Sequence, residues 1–105
     1  MLFRSYLNLS TTKVSGSGLT ELKGRGRLTR LELQFSPVTD EGLKGLAGLT
    51  GLTSLHLQGT QITDEGLKHL AGLKELTSLN LLNTKVTETG LTELRKSLPR
   101  CTISR

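Results

Sequence analysis

Two side chains with complementary chemistry, Glu32 and His56, stand 24 positions apart in this 105-residue chain. A histidine titrates near neutrality. Beside a carboxylate it makes either an exposed ion pair or a pH-sensitive polar contact in a binding surface. The other reactive residues are scattered. Cys101 is the single cysteine and has no base in register beside it, so it reads as a small buried apolar residue and not as a nucleophile. Gly16-x-Gly18 and Gly24-x-Gly26 are only fragments of a phosphate loop, and no Cys/His spacing suits a metal. Asn8-Leu9-Ser10 fits a glycosylation sequon, which needs a secretory route. Lys23, Arg25, Arg27 and Arg30 form a basic cluster that suits a solvated turn, an acidic partner or a phosphate backbone. No catalytic residue, cofactor or metal is expected.

The spacing of Glu32 and His56 is that of the whole chain. Residues 52–75, LTSLHLQGTQITDEGLKHLAGLKE, shifted by 24 become LTSLNLLNTKVTETGLTELRKS at 76–97. Shifted back they become LTRLELQFSPVTDEGLKGLAGLTG at 28–51, then RSYLNLSTTKVSGSGLTELKGRGR at 4–27. Four units tile the chain without a gap. The stretch from Thr12 to Leu28, which resembles a Gly/Ser linker, keeps Val14, Gly18, Leu19 and Leu22 in the slots of Ile62, Gly66, Leu67 and Leu70. It is therefore expected to be a folded repeat.

Each unit dictates the same local structure. Leu55 and Leu57 are two apart and face one way from an extended segment. Thr60 and Ile62 continue inward round a turn. Thr63 is placed to cap a helix, with Asp64 and Glu65 in its first turn, where the helix dipole favours acids. Leu67 and Leu70 then share one helical face, and Gly66 lets the helix approach the layer beneath. A strand, a turn and a short helix cannot bury a Leu row alone, so neighbours must stack. The tail LPRCTI repeats the L-x-x-L-x-L shape two residues early. It predicts a truncated closing strand at 98–103 with Cys101 and Ile103 turned inward.

The unit L-x-x-L-x-L-x-x-T-x-(I/V)-T-(D/E)-x-G-L-x-x-L resembles the leucine-rich repeat family. It is most similar to the bacterial 24-residue repeats and more loosely to effector repeats with a Gly-Ala-Leu-Ala signature, from which LAGL departs. The resemblance implies an α/β solenoid, a horseshoe segment with a concave parallel sheet and convex short helices. It also implies a protein partner held on the concave face. Where many members carry Asn in the ninth slot, this chain has Thr12, Ser36, Thr60 and Thr84, whose hydroxyls can serve a similar, weaker role. On that lattice the outward columns are Tyr6, Arg30, Ser54, Ser78 and Arg100; Asn8, Glu32, His56 and Asn80; Ser10, Gln34, Gln58 and Leu82; and Thr11, Phe35, Gly59 and Asn83. The candidate partner-binding residues are Tyr6, Asn8, Arg30, Glu32, Gln34, Phe35, His56, Gln58, Asn80 and Leu82.

Composition agrees with a repeat scaffold. Leu supplies 24 residues, Trp none, and only Phe3, Tyr6 and Phe35 are aromatic. Residues 1–105 read as one domain. The net charge of +5 is uneven: residues 1–30 carry six bases against Glu21, residues 31–90 four lysines against seven acids, and residues 91–105 four bases against Glu93. A nucleic-acid binder more often shows a continuous basic stripe with stacking aromatics. No apolar run is long enough to span a bilayer and no signal peptide is visible, so the default expectation is a cytoplasmic chain. No cap precedes the first unit, and Arg25 stands where later units have Leu49 and Leu73. The N-terminal edge is then the weakest part, which admits the alternative of a segment of a longer array or of homo-oligomers joined through solenoid ends.

Overall fold

The computed structural model describes residues 6–10 and 28–105. Five three-residue strands, β1 (Tyr6–Asn8), β2 (Arg30–Glu32), β3 (Ser54–His56), β4 (Ser78–Asn80) and β5 (Thr102–Ser104), form one parallel sheet in chain order. Every pairing joins residues 24 apart: Leu7, Leu31, Leu55, Leu79 and Ile103 form the central row. Opposite the sheet lie a 3₁₀ segment (Gly42–Leu46), helix α1 (Asp64–Leu70) and helix α2 (Glu88–Ser97). The expected helix of the first unit, with Val14, Gly18, Leu19 and Leu22, lies outside the described residues, as do Thr11, Thr12, Lys23, Arg25 and Arg27.

Stacking closes the core as the Leu spacing requires. Leu31, Leu33, Leu55 and Leu57 are fully buried, together with Ile62 from the turn and Leu43, Leu46 and Leu70 from the opposite layer. Fully burying such a side chain contributes about 1.5–3 kcal/mol relative to leaving it exposed. Beside the sheet, Thr53 Oγ1 donates to Thr29 O at 3.0 Å and Thr77 Oγ1 to Thr53 O at 3.2 Å, which adds a lateral hydroxyl rung next to the backbone ladder.

The Thr/Ser residues of the ninth slot act locally and not as a ladder. Thr60 Oγ1 donates to Leu57 O and Thr84 Oγ1 to Leu81 O, both at 2.7 Å, and Ser36 Oγ donates to Leu33 O. A hydroxyl on a short stem reaches the carbonyl three residues back and no further, so it holds the turn of its own unit.

The lateral connection runs instead through Asp. Asp40 Oδ1 accepts from Thr63 N at 2.7 Å and its Oδ2 from the Thr63 hydroxyl. One unit on, Asp64 accepts from Thr87 N at 2.8 Å and from the Thr87 hydroxyl. Each clasped Thr is extended and N-caps its helix, Thr63 accepting from Glu65 N and Thr87 from Gly90 N. The carboxylate also explains the glycine two residues after it in the next unit: a Cβ on Gly66 would collide with Asp40 Oδ1, and one on Gly90 with Asp64 Oδ1. The close approach is to the neighbouring repeat more than to the layer beneath. The slot in unit one that would supply the accepting carboxylate to unit two is Gly16, which has none to offer. In unit two the segment Gly42–Leu46 is 3₁₀ with no side-chain cap.

The closing strand departs from expectation. β5 is Thr102–Ser104 with Ile103 beside Leu79, so the 24-residue count is unbroken and the strand does not come early. Thr102, not Arg100, continues the Arg30 row. Helix α2 runs through Ser97, and Leu98 drops into the core behind it. Thr102 N then reaches Thr77 O at 2.8 Å and Leu81 N reaches Ser104 O at 2.7 Å, pairings that require this register. Cys101 is half-buried against the core beside the strand and not in its central row. Burial pushes its thiol pKa up, which suppresses thiolate. At this end Arg105 donates to Glu88 at 3.0 Å and to Val86 O at 3.3 Å.

Candidate functional site: the concave sheet

Inward Leu rows force the alternate strand residues outward, so the concave surface is a lattice whose columns are set by backbone pairing. Arg30, Ser54, Ser78 and Thr102 form one row, and Asn8, Glu32, His56, Asn80 and Ser104 the other. Tyr6 begins the first row, beside Arg30.

Glu32 is the hub of the lattice. Its Oε2 accepts from the Tyr6 hydroxyl at 2.5 Å and lies 3.4 Å from the Arg30 guanidinium, while Oε1 accepts from Gln34 Nε2 at 2.9 Å. Arg30 also sits over the Tyr6 ring, 5.3 Å from its centroid. The Tyr6 bond, then the Gln34 bond, holds the Glu32 carboxyl below its usual range, and the same contact pushes the Tyr6 hydroxyl up. Glu32 and His56 are register partners, yet the expected ion pair is not the contact that forms. Glu32 turns to the Tyr6 and Arg30 side, and His56 Nε2 instead lies 3.2 Å from Ser54 Oγ. Register fixes which Cα atoms are neighbours; a long carboxylate side chain still selects the stronger donors.

The amides are similarly committed. Asn8 Oδ1 accepts from Ser10 N and Oγ, and Asn80 Oδ1 accepts from Leu82 N at 3.0 Å. Gln34 Oε1 and Gln58 Oε1 are closed off from solvent and meet no donor.

The exposed large apolar side chains among the described residues are Tyr6, Phe35 and Leu82, all members of the outward columns. Phe35 is 60% exposed and has a positive φ of 59°, and its lattice equivalents Gly59 (φ 73°) and Asn83 (φ 58°) are also left-handed. A bulky residue pays steric strain in this left-handed region, where Gly and Asn are tolerated. Its ring lies against Gly59, so that a Cβ there would overlap the ring edge.

The other face offers less. A cavity of about 480 Å³ between α1 and α2 is floored by Leu67, Ala71 and Leu94. On its rim Lys68 pairs with Glu65, and Glu93 with Lys96 beside it. No group of His, Cys, Asp and Glu suited to a metal occurs among the described residues, and none of their helices is long and apolar enough to cross a membrane.

Residues 28–47 and 49–71 match the family described as leucine rich repeat. No curated protein sequence matches the chain significantly. Among solved structures, internalin C2 of Listeria monocytogenes is similar at 30% identity and a TM-score of 0.75, covering 93% of this chain. The chain spans 39% of that internalin's length. The Mex67:Mtr2 subunits of Chaetomium share the fold at 19% identity and a TM-score of 0.76, over 95% of this chain and 78% of theirs. A leucine-rich repeat protein of Leptospira interrogans aligns at 23% identity and a TM-score of 0.58, over 82% of this chain and 27% of its own.

Proposed function

This chain belongs to the leucine-rich repeat family, and from that premise we propose that it is a non-enzymatic scaffold that binds a protein partner on its concave sheet. The observation that carries the reading is Phe35. A ring held open to solvent in a strained backbone conformation, above a glycine that makes room for it, is costly for a monomer and useful to an interface. Tyr6 and Leu82 extend the same apolar presentation, and the rows of Arg30 and His56 supply polar contacts between them. Chemistry has little to work with: the carboxylate of Glu32 on this face is saturated, and the thiol of Cys101 is half-buried against the core.

The test is affinity capture from lysate with wild type and with an Arg30→Glu, Phe35→Asp double variant, which leaves the core alone. A protein retained by wild type and lost by the variant supports the reading. Equal retention by both removes it. Self-association through the ends of the solenoid is the competing reading. Residues 1–30 and 91–105 both carry excess positive charge, so end-to-end contact meets like charge. Light scattering over a dilution series separates the two, because end-to-end association weakens on dilution.

A further inference from the structure

We propose that the concave sheet is a field of hydrogen-bond donors that receives an acidic, extended polypeptide segment, with Arg30 as the ionic partner of a carboxylate; this rests on the concave-face reading above. The basis is a sorting of polar atoms. Carboxylate and amide oxygens on this face are turned in or already used. Glu32 is only 12% exposed and both its oxygens accept hydrogen bonds. The Asn8 and Asn80 oxygens are held by backbone N–H groups, which leaves their NH₂ groups pointing away from those bonds. Gln34 Oε1 and Gln58 Oε1 have no solvent exposure.

Donors remain. The Arg30 guanidinium is 51% exposed although it touches both Tyr6 and Glu32, so it is oriented but still open. A guanidinium fixed in this way is prepared for the fork-shaped contact that a carboxylate makes. Along its row stand the hydroxyls of Ser78 and Thr102, and that of Ser54, which also meets His56 Nε2 at 3.2 Å. Hydroxyls donate or accept, so they match a backbone carbonyl as readily as a carboxylate. With strands about 4.8 Å apart, the row from Arg30 to Thr102 spans about 14 Å, the reach of four extended residues.

Other occupants fit less well. A nucleic acid needs several cations along its phosphates, and Arg30 is the one arginine or lysine in the described strands. A second copy packed face to face would bring Arg30 no open carboxylate, because Glu32 is the one acid in the described strands and both its oxygens are already bonded.

The experiment is fluorescence anisotropy with three fluorescein-labelled probes: a twelve-residue alternating Glu-Gly peptide, its Gln-Gly counterpart and a twelve-nucleotide single-stranded DNA. Proteins compared are wild type, Arg30→Gln and the convex-face control Lys68→Gln. The Glu-Gly peptide is expected to bind at least about tenfold more tightly than the Gln-Gly peptide. Arg30→Gln should lose about that factor, and Lys68→Gln should change nothing. Equal binding of both peptides, no binding of the Glu-Gly peptide, tighter binding of DNA, or equal loss in both variants would overturn the proposal. A captured partner that needs the concave face but docks through a neutral or basic segment would also overturn it, while leaving the protein-binding reading intact. Capture indifferent to concave variants would remove both.

Discussion

Replacing Gly90 by Ala should destabilise this protein, although a helix interior ordinarily gains about 1 kcal/mol from that exchange. The added methyl would overlap the Asp64 carboxylate, which is held in place by Thr87 N at 2.8 Å and by the Thr87 hydroxyl. Either the carboxylate leaves and both bonds are lost, or α2 shifts away from α1. Charge-assisted bonds contribute about 1.5–3 kcal/mol. Thr87 is exposed and Asp64 only half-buried, so water recovers part of this and a net loss of about 1–2 kcal/mol is expected for Gly90→Ala. Asp64→Ala should cost a similar amount. In the double variant the new methyl occupies the space the carboxylate vacated, so Ala at 90 should then be neutral or stabilising. The cycle therefore predicts a coupling of about 1–2 kcal/mol, well above the few tenths expected of independent sites. Urea denaturation followed by circular dichroism measures all four proteins. Stabilisation by Gly90→Ala alone, or additive single effects, would refute the clasp.

Four more outcomes follow from the same structure. The Thr87 bonds also hold the Asp64 carboxyl below its usual pKa, so their stabilisation is present above the ordinary carboxylate range and lost as pH falls through the lowered value; the urea midpoint should fall on acidification, less steeply in Asp64→Asn. Leu55→Ala should cost about 2–5 kcal/mol as a core truncation, and Gln58→Ala almost nothing, because Leu55 is fully buried and the Gln58 oxygen makes no hydrogen bond to lose. Phe35→Asn should raise the urea midpoint by relieving about 1 kcal/mol of left-handed strain while abolishing capture of the partner. Iodoacetamide should modify Cys101 slowly in the folded protein at neutral pH and rapidly once urea is added, since burial raises the thiol pKa.

The period carried most of the fold, because a 24-residue count sets strand pairing, and pairing sets which residues face outward. That is why Tyr6, Arg30, Ser54 and Ser78 fall in one row. The count also held at the tail, where local shape misled: Cys101 and Ile103 have the spacing of the Leu pair, but Ile103 alone stands 24 residues after Leu79. Thr102 and Ser104 were missed from the surface for that reason. Side-chain partners were less legible. Asp64 has a sufficient local explanation at a helix N-terminus, which hides its lateral role. The available signal was the joint recurrence of Asp40 with Gly66 and of Asp64 with Gly90, each pair separated by one period and two residues. Glu32 lies between two lattice neighbours, and only the reach of the Tyr6 hydroxyl and the orientation of Arg30 decide which way it turns.

The central claim is that recognition occurs on the concave sheet and not on the helices or the ends. Backbone amide shifts of the ¹⁵N-labelled 11.4 kDa chain, recorded while the captured partner is titrated in, test it residue by residue. The account predicts the largest changes at Arg30, Phe35, Ser54, His56, Ser78 and Asn80, with α1 and α2 unmoved. Changes centred on Leu67, Ala71 and Leu94 between the helices, or on β5 and Arg105, would contradict it.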